Sequence, residues 1–253
     1  MRHKSITLLL LAALSLHGCS NDDKKISSIE GYNIKVTASE KSNGAKEVRN
    51  IIQQYSAKVE EIKRPVIGSS AKDLIKTSTP DSPLMNFAAD ALLTMAQRHC
   101  DEKIDLAITN KGGLRNDIAK GDVTYGDIYN VFPFENTLAL LKLNGIQLME
   151  LFNDIAKVGG ECISGAKITI TADGKVTEAT IGGKEIQPDK KYLIATSDYL
   201  SQGNDKIYTL GKGSDVVIKS DITIRDLMIT YVSELHKKGE AINPESDGRI
   251  TIK

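Results

Sequence analysis

The chain has 253 residues, of which 26% are charged and 5% aromatic, with 33 basic and 33 acidic side chains. This length is enough for one sizeable hydrophobic core or for a domain with a small appendage. The balanced charge offers no attraction to nucleic acid or to an anionic membrane surface, so neither is an expected partner.

The first eighteen residues are organised like a bacterial secretory signal. Arg2 and Lys4 precede a short apolar segment at 8–16, and Cys19 follows Gly18. A charged start, a short apolar region and small residues at a cleavage site are typical of signal peptides. The apolar segment is too short to span a bilayer as a mature helix. The glycine–cysteine pair resembles a lipobox, in which the cysteine is lipidated; a secreted protein with a chance cysteine is the alternative.

Cleavage after residue 18 predicts a lipid-anchored protein of the bacterial cell envelope. It removes two bases and no acid, so the mature formal charge is 31 − 33 = −2. Residues 19–33 are expected to form a polar, flexible tether, and residues 34–253 a folded domain. The outer membrane is favoured, with a periplasmic or a surface-facing position left open. Cys100 and Cys162 remain unmodified, as a disulfide or as two buried thiols.

The N-terminal half is predicted to begin with a strand at 34–37 and a helix at 45–62. The helix has apolar residues at helical spacing with charges on its other face, and a strand at 65–69 follows. Ser82 and Pro83 start a second helix as cap and first residue. Asn86 and Asp90 share one face of that helix, which is either solvated or braces a neighbouring loop. The apolar stripe of the first helix comprises Val48, Ile51, Ile52, Tyr55 and Val59.

A buried strand at 104–109 then ends in a loop with paired glycines and an arginine. Gly112 and Gly113 let the backbone approach a ligand closely, and Arg115 offers a planar fork of donors to an anion. Such a loop after a strand is a common place to bind a phosphorylated small molecule. A plain turn with an exposed arginine is the alternative.

The rest of the chain mixes helices and strands. Residues 122–131 suggest a bend and a short helix, 138–143 a strand, and 145–157 a helix. Strands are predicted at 166–170, 176–181 and 192–196, with hairpin signals at Asp173-Gly174 and Gly182-Gly183. A polar loop at 197–205, a helix at 223–238 and a strand at 249–252 complete the chain. This pattern predicts an α+β fold, a mixed α/β sandwich, and not a doubly wound parallel sheet.

Three separated segments resemble motifs of the 5′-nucleotidase C-terminal domain family. Residues 110–115 (NKGGLR) resemble the family's Asn-Gly-Gly-Gly-Ile-Arg loop, and residues 133–136 (PFEN) its Pro-Phe-Gly-Asn turn. Residues 199–205 (YLSQGND) resemble its Phe-x-x-x-Gly-Gly-Asp loop. The helix around Asn86 and the closing strand also match, so the resemblance covers about 65–253. Each motif alone is weak, but their joint order is specific.

The resemblance implies a domain that holds the substrate of a nucleotide hydrolase. Phe134 and Tyr199 would sandwich the nucleobase, and stacking tolerates any base because each has a π-face. Asp205 would accept hydrogen bonds from the ribose. Arg115 would face phosphate or ribose, and Asn110 would lie beside the nucleoside. Asn136 matches a family asparagine that either contacts substrate or stabilises the turn; for the two aromatic residues, core packing is the alternative.

Several positions depart from the family pattern. Lys111 replaces the first glycine of its loop, Glu135 a glycine after Phe134, and Asn204 another glycine; asparagine tolerates a left-handed backbone. Pro80-Asp81 stands near the place of a family arginine. Lys111 could supply some of the lost positive charge, but not a bidentate fork. Nucleoside recognition is therefore better supported than phosphate recognition.

The resemblance also implies a metal-bearing domain that this stretch of sequence does not contain. Family members hold two metals, which activate water at phosphorus, on a separate metallophosphoesterase domain. His99 and His236 fall outside any metal-ligand pattern, and no nucleophile constellation is evident. We therefore expect no catalytic residue and no cofactor in this chain, and a divalent metal pair on a partner metallophosphoesterase chain. A binding lipoprotein without chemistry and a structural lipoprotein are the alternatives.

Overall fold

The computed structural model describes residues 28, 30–32, 43–77, 79–212 and 215–253. The chain divides into two compact units, residues 1–49 and 50–253. The predicted signal peptide at 1–18, Cys19, most of the tether and the predicted strand at 34–37 lie outside the described residues. Within the described ranges, no helix combines the length and the apolar character that crossing a membrane would need.

Seven helices and ten strands are named for the described residues. The helices are α1 (Asn43–Lys63), α2 (Pro83–Ala96), α3 (Tyr125–Val131), α4 (Gly145–Lys157), α5 (Asp198–Ser201), α6 (Tyr208–Gly211) and α7 (Ile224–Lys237). The strands are β1 (Val66–Ser70), β2 (Leu106–Thr109), β3 (Gly121–Thr124), β4 (Thr137–Asn144), β5 (Cys162–Ser164), β6 (Ala166–Ile170), β7 (Val176–Ile181), β8 (Lys191–Ser197), β9 (Asp215–Thr223) and β10 (Ile250–Ile252).

A five-stranded sheet in the order β5-β2-β8-β4-β9 forms the centre of the second unit. Strands β2 and β8 are parallel, and the other pairs of this sheet are antiparallel. The sheet has one apolar cluster on each face. One cluster includes α2 and α7, whereas the other includes α4 and the three-stranded sheet β10-β6-β7. The α+β sandwich predicted from the sequence is therefore confirmed.

Side-chain caps explain where several helices begin. Ser82 accepts a hydrogen bond from the backbone N–H of Met85 at the start of α2. Thr124 and Asp127 form a reciprocal capping box at α3, and Asn144 and Gln147 form another at α4. These bonds satisfy backbone N–H groups that have no partner in the first helical turn. The starts of these helices are thus determined by the local sequence.

Some predicted connections differ from the structure. The Asp173-Gly174 turn does join β6 and β7 as an antiparallel hairpin, but the Gly182-Gly183 turn does not join β7 to β8. Instead, Ile181 and Lys184 exchange backbone hydrogen bonds across that turn, and β7 and β8 belong to different sheets. Strands β3, β5 and β9 were not predicted.

The apolar stripe of α1 lies in solvent, contrary to the usual expectation for an amphipathic helix. Its five predicted residues are between 44 and 65% exposed. The thiols of Cys100 and Cys162 are both free; Cys162 is buried and Cys100 half-buried. Asn86 and Asp90 brace the C-terminal segment, since Asn86 donates to the Glu245 carbonyl and Asp90 binds Arg249.

Candidate functional site

The ends of three neighbouring strands meet at one edge of the central sheet. Strand β2 ends at Thr109 and the parallel β8 ends at Ser197, whereas the antiparallel β4 begins there, with Leu138 opposite Ser197. The three loops at this edge are residues 110–115, 132–136 and 198–205. They are the three segments that carry the family motifs. The sheet topology thus explains how residues almost a hundred positions apart come together.

These loops enclose a cleft of about 310 Å³. All six side chains predicted to contact substrate line it, together with Gly112; the six are Asn110, Arg115, Phe134, Asn136, Tyr199 and Asp205. Phe134 is 46% and Tyr199 36% exposed, so neither ring is a core residue. The two rings are on separate loops and face the same cavity. This arrangement offers apolar surface beside a small number of polar groups, as ligand clefts usually do.

Asp205 connects two walls of the cleft. Its carboxylate accepts a hydrogen bond from the Asn110 amide at 2.6 Å and another from the Tyr199 hydroxyl at 2.9 Å. The bond to Asp205 raises the pKa of Tyr199, because ionising the phenol beside a carboxylate is unfavourable. Asp205 has a left-handed backbone with φ of 54°, a conformation that aspartate tolerates better than most residues. Tyr199 and Asn110 are thereby held in position.

Gly113 of the first loop is required by close packing around Asn110. A Cβ on Gly113 would lie 2.8 Å from the Asn110 side-chain oxygen, a distance that real Cβ atoms essentially never show. Gly113 also donates its backbone N–H to the Asn110 carbonyl. Asn110 itself is 7% exposed. A side chain at Gly113 would therefore displace Asn110 and its bond to Asp205.

Beneath this loop lies a buried carboxyl that sequence reasoning missed. Glu161 is 4% exposed and accepts the Lys111 backbone N–H at 2.5 Å. Burial raises the pKa of Glu161 from 4.5 to about 7; the Lys111 N–H opposes this rise, and the charge of Asp205 adds to it. The sequence did not indicate that Glu161 is buried. The strand that follows it, β5, has only three residues and is too short to show a pattern of burial.

Lys111 does not take the role suggested from the sequence. Its ammonium group donates to the Val158 carbonyl at 2.8 Å, and the residue is absent from the cleft lining. Of the described residues that line the cleft, Arg115 is the one base and Asp205 the one acid. The Arg115 guanidinium lies 5.8 Å from the centre of the Phe134 ring. The missing family arginine is therefore not replaced by Lys111.

The turn that presents Phe134 is fixed from below by Arg225, which sequence reasoning also missed. The Arg225 guanidinium stacks on Tyr129 at 4.4 Å from the ring centre and donates to the Phe132 carbonyl and to Glu135. Arg225 is 7% exposed. Glu135, which stands where the family has glycine, is thus a partner of a buried arginine. The burial of Arg225 beneath this turn could not be foreseen, because Arg225 lies in the first turn of α7, ninety residues after Glu135.

The third loop departs from its predicted backbone. Asn204, expected to adopt the left-handed conformation of a family glycine, does not do so; Gly203, Asp205 and Lys206 have positive φ instead. The Asn204 side chain donates to the Tyr199 carbonyl at 2.8 Å. The main chain of Tyr199 is further held by Asp198, whose carboxylate accepts both its N–H and that of Thr137. Asp198 thus links the second loop to the third.

His99 and His236, the two histidines among the described residues, lie apart on the surface. His99 is in a short 3-10 turn after α2 and His236 in the last turn of α7, and both are exposed. Neither histidine fits a metal pair. Among the described residues, no group of three or more histidines, cysteines, aspartates or glutamates is placed to hold a metal ion.

The fold and the cleft define an α+β ligand-binding domain with its candidate site on three loops at one sheet edge. A model of the family described as "5′-nucleotidase, C-terminal domain" matches residues 66–212. The chain belongs to this family, the substrate-binding C-terminal domains of 5′-nucleotidase-type proteins.

Similar proteins agree with this assignment. The trifunctional nucleotide phosphoesterase protein YfkN of Bacillus subtilis is 29% identical over 249 residues, which cover 90% of this chain and 17% of that protein. The 5′-nucleotidase of Vibrio cholerae is 36% identical over 107 residues, 41% of this chain and 19% of that one. The 5′-nucleotidase precursor from Thermus thermophilus shares the fold, with a TM-score of 0.70 and 22% identity over 82% of this chain and 43% of that chain. This chain therefore spans less than a third of the length of the two curated relatives.

Proposed function

We propose that the cleft binds the nucleoside part of a nucleotide. The observation that carries this proposal is the convergence of Phe134, Tyr199 and Asp205 from separate loops on one cavity. The two rings would stack on the base, and Asp205 would accept ribose hydroxyls. Its two oxygens offer about four lone-pair sites, so it can accept them while it holds Tyr199 and Asn110.

The polar neighbours of the rings are assigned to the rest of the ligand. Asn110 and Asn136 carry amide groups that can donate and accept at a nucleoside. Arg115 is exposed at the mouth of the cleft and would meet phosphate or ribose. Because Lys111 is turned away, phosphate binding would depend on one arginine. We therefore expect the nucleoside to supply most of the affinity.

Replacing Phe134 by alanine tests this proposal. Loss of one stacking platform should weaken binding of adenosine and AMP about tenfold to a hundredfold, measured by titration calorimetry. Ribose 5-phosphate, which has no base, should bind weakly to both proteins. Tyr55→Ala removes an exposed aromatic ring from α1 and should leave the affinity for adenosine unchanged. Equal affinities of Phe134→Ala and the native chain would count against the stacking role.

We further propose that the chain is one half of a split 5′-nucleotidase-type hydrolase in nucleotide catabolism. A separate metallophosphoesterase chain would bring the divalent metal pair, and this chain would present the substrate phosphate to it. The support is the family membership together with two surface histidines that do not fit a metal pair. Alone, the chain is expected to release no phosphate.

Mixing the two halves measures that cooperation. A metallophosphoesterase-only protein from the same organism should release phosphate from AMP several-fold faster when this chain is added. The Phe134→Ala chain is the matched control and should give little acceleration. If the native chain adds nothing to the rate of the metal-bearing protein, the second candidate remains, a nucleoside-binding lipoprotein without chemistry. The cleft that this chain forms from its own residues favours that candidate.

The localisation proposed is the bacterial cell envelope, with a lipid on Cys19 after removal of residues 1–18. The lipobox-like Gly18-Cys19 pair supports it. Replacing Cys19 by serine should move the protein from the membrane fraction to the soluble fraction and abolish labelling by a radioactive fatty acid. Retention of the Cys19→Ser protein in the membrane fraction would contradict a lipid anchor.

A further inference from the structure

Helix α1 exposes an apolar surface between residues 50 and 63. Ile51, Ile52, Tyr55, Val59 and Ile62 are each at least 44% exposed, and we call these five side chains the α1 seam. A contiguous group of exposed apolar side chains, bordered by polar residues, marks an interaction surface more often than isolated ones do. The seam is separate from the residues that line the cleft.

The spacing of the seam identifies the shape of its partner. Ile52, Tyr55, Val59 and Ile62 follow one another at intervals of three, four and three residues, which is the alternation of a and d positions in a heptad. The resulting stripe is narrow, as in coiled coils, and suits the insertion of side chains from another helix. The heptad frame places Ile52 and Val59 at a, and Tyr55 and Ile62 at d.

The charges beside the seam argue against a second copy of this chain. Lys58 occupies one g position and Lys63 one e position, the other two being Ile51 and Ser56; residues at e and g select the partner in coiled coils. In a parallel pair, g faces the e position five residues further along the other helix, so Lys58 would face Lys63 of the second copy. In an antiparallel pair that overlaps the whole seam, g faces g, so Lys58 would face Lys58 of the second copy. Both arrangements bring like charges together, whereas acidic residues at the same positions would pair with the lysines.

The opposite side of α1 argues against a lipid surface. Helices that lie on membranes carry mostly Lys and Arg on their polar face. Here Glu60 and Glu61 are on that side, and Arg64 is engaged by Glu60 at 3.5 Å. Lys63 is also held near the body of the domain, with its ammonium 5.7 Å from the Tyr129 ring centre. A basic border without a basic polar face fits an acidic helix better than an anionic bilayer.

We propose that the α1 seam docks an amphipathic helix of another protein that carries Asp or Glu beside its own apolar stripe. The interaction would bury the seam and pair the exposed Lys58 with a carboxylate of the partner; Lys63 would pair with another once its ammonium leaves the Tyr129 ring. This inference does not rest on nucleoside binding, because no seam residue lines the cleft. Failure of either proposal therefore leaves the other standing.

Two synthetic helical peptides test the proposal on the full chain. Both carry Ile at a and Leu at d over three heptads, and they differ only at e and g, where one has Glu and the other Lys. Fluorescence anisotropy of the labelled peptides should show the Glu peptide binding at least tenfold more tightly. The double variant Lys58→Glu with Lys63→Glu should reverse this preference. Ile52→Ser with Val59→Ser should abolish binding, whereas Gln53→Ser, on the opposite side of the helix, should not alter it.

Several results would overturn the proposal. Absence of binding by both peptides, or equal binding of the two, would remove the acidic helix as the occupant. Sedimentation that shows a dimer of the native chain, dissociated by the Ile52→Ser and Val59→Ser changes, would assign the seam to a second copy. Binding to phosphatidylglycerol vesicles that depends on the same residues would assign it to a membrane. All the substituted side chains are at least partly exposed, and far-ultraviolet circular dichroism checks that each variant folds.

Discussion

The free energy of unfolding of the native protein is expected to fall by about 3 kcal/mol as pH rises from about 4.5 to above 7. Replacing Glu161 by glutamine should abolish this fall. The Glu161 carboxyl has its pKa raised from 4.5 to about 7, because it is buried and lies near the charge of Asp205. Below pH 4.5 the carboxyl is protonated in the folded and unfolded chains, and its contribution to stability is fully present. Between these values only the folded chain retains the proton, so stability falls as pH rises.

Urea unfolding at a series of pH values measures this effect. Glutamine keeps an oxygen that can accept the Lys111 N–H, so the loop beneath the cleft should remain in place while the titration disappears. Glu178→Gln is the matched control, because the pKa of exposed Glu178 is lowered by its bond to Lys253. Its contribution is therefore lost only as pH falls through that lowered pKa, below the window studied. If the stability of Glu161→Gln falls with rising pH as much as that of the native chain, the pH dependence does not come from Glu161.

Replacing Arg249 by methionine is expected to lower the free energy of unfolding by about 2–3 kcal/mol. Arg249 is 8% exposed and makes bonds of 2.7–3.1 Å to the carboxylates of Asp90 and Asp247 and one to the Ile163 carbonyl. Burial opposes its charge, but the bonds to the two aspartates outweigh burial and raise the Arg249 pKa. The loss is smaller than for a fully buried pair, because the two acids are about 40–46% exposed.

An exposed ion pair provides the comparison for Arg249. Arg98 binds Glu234 in the same bidentate manner, but their side chains are 46% and 30% exposed. Arg98→Met should therefore cost less than about 1 kcal/mol. Urea unfolding of both variants at neutral pH separates the two cases. Equal losses would show that burial and the aspartate pair around Arg249 contribute nothing beyond a surface contact.

The elements with strong local signals could be predicted from the sequence. The predicted bounds of α4, β6 and β7 match the structure, because capping residues, the Asp173-Gly174 turn and clear apolar periodicity all agree there. Strand β9 was missed because it is largely exposed and rich in charged residues at the edge of the sheet. Pairing partners of distant strands depend on the packing of the whole domain. For that reason the Gly182-Gly183 turn suggested a hairpin that does not form.

The cleft was predicted from three motifs and their order, not from local pattern. Each residue assigned to it does line the cavity. Its supports, Glu161 and Arg225, were missed because their positions depend on a three-residue strand and on a helix packed beneath a distant turn. Lys111 illustrates the same limit, because its ammonium group donates to the carbonyl of Val158, 47 residues away, and Lys111 does not line the cleft.

Strand β8 connects the candidate site to both hydrophobic layers of the domain. Leu193 and Ala195 enter the cluster on one face of the sheet, whereas Tyr192 and Ile194 enter the cluster on the other. Ser197, two residues after Ala195, caps α5 and so fixes the start of the loop at 198–205 that carries Tyr199. Because protein interiors are closely packed, a change of volume in either layer should shift strand β8 and the Tyr199 loop that follows it. We therefore expect substitutions in either hydrophobic layer, far from the cleft, to alter which ligands the cleft accepts.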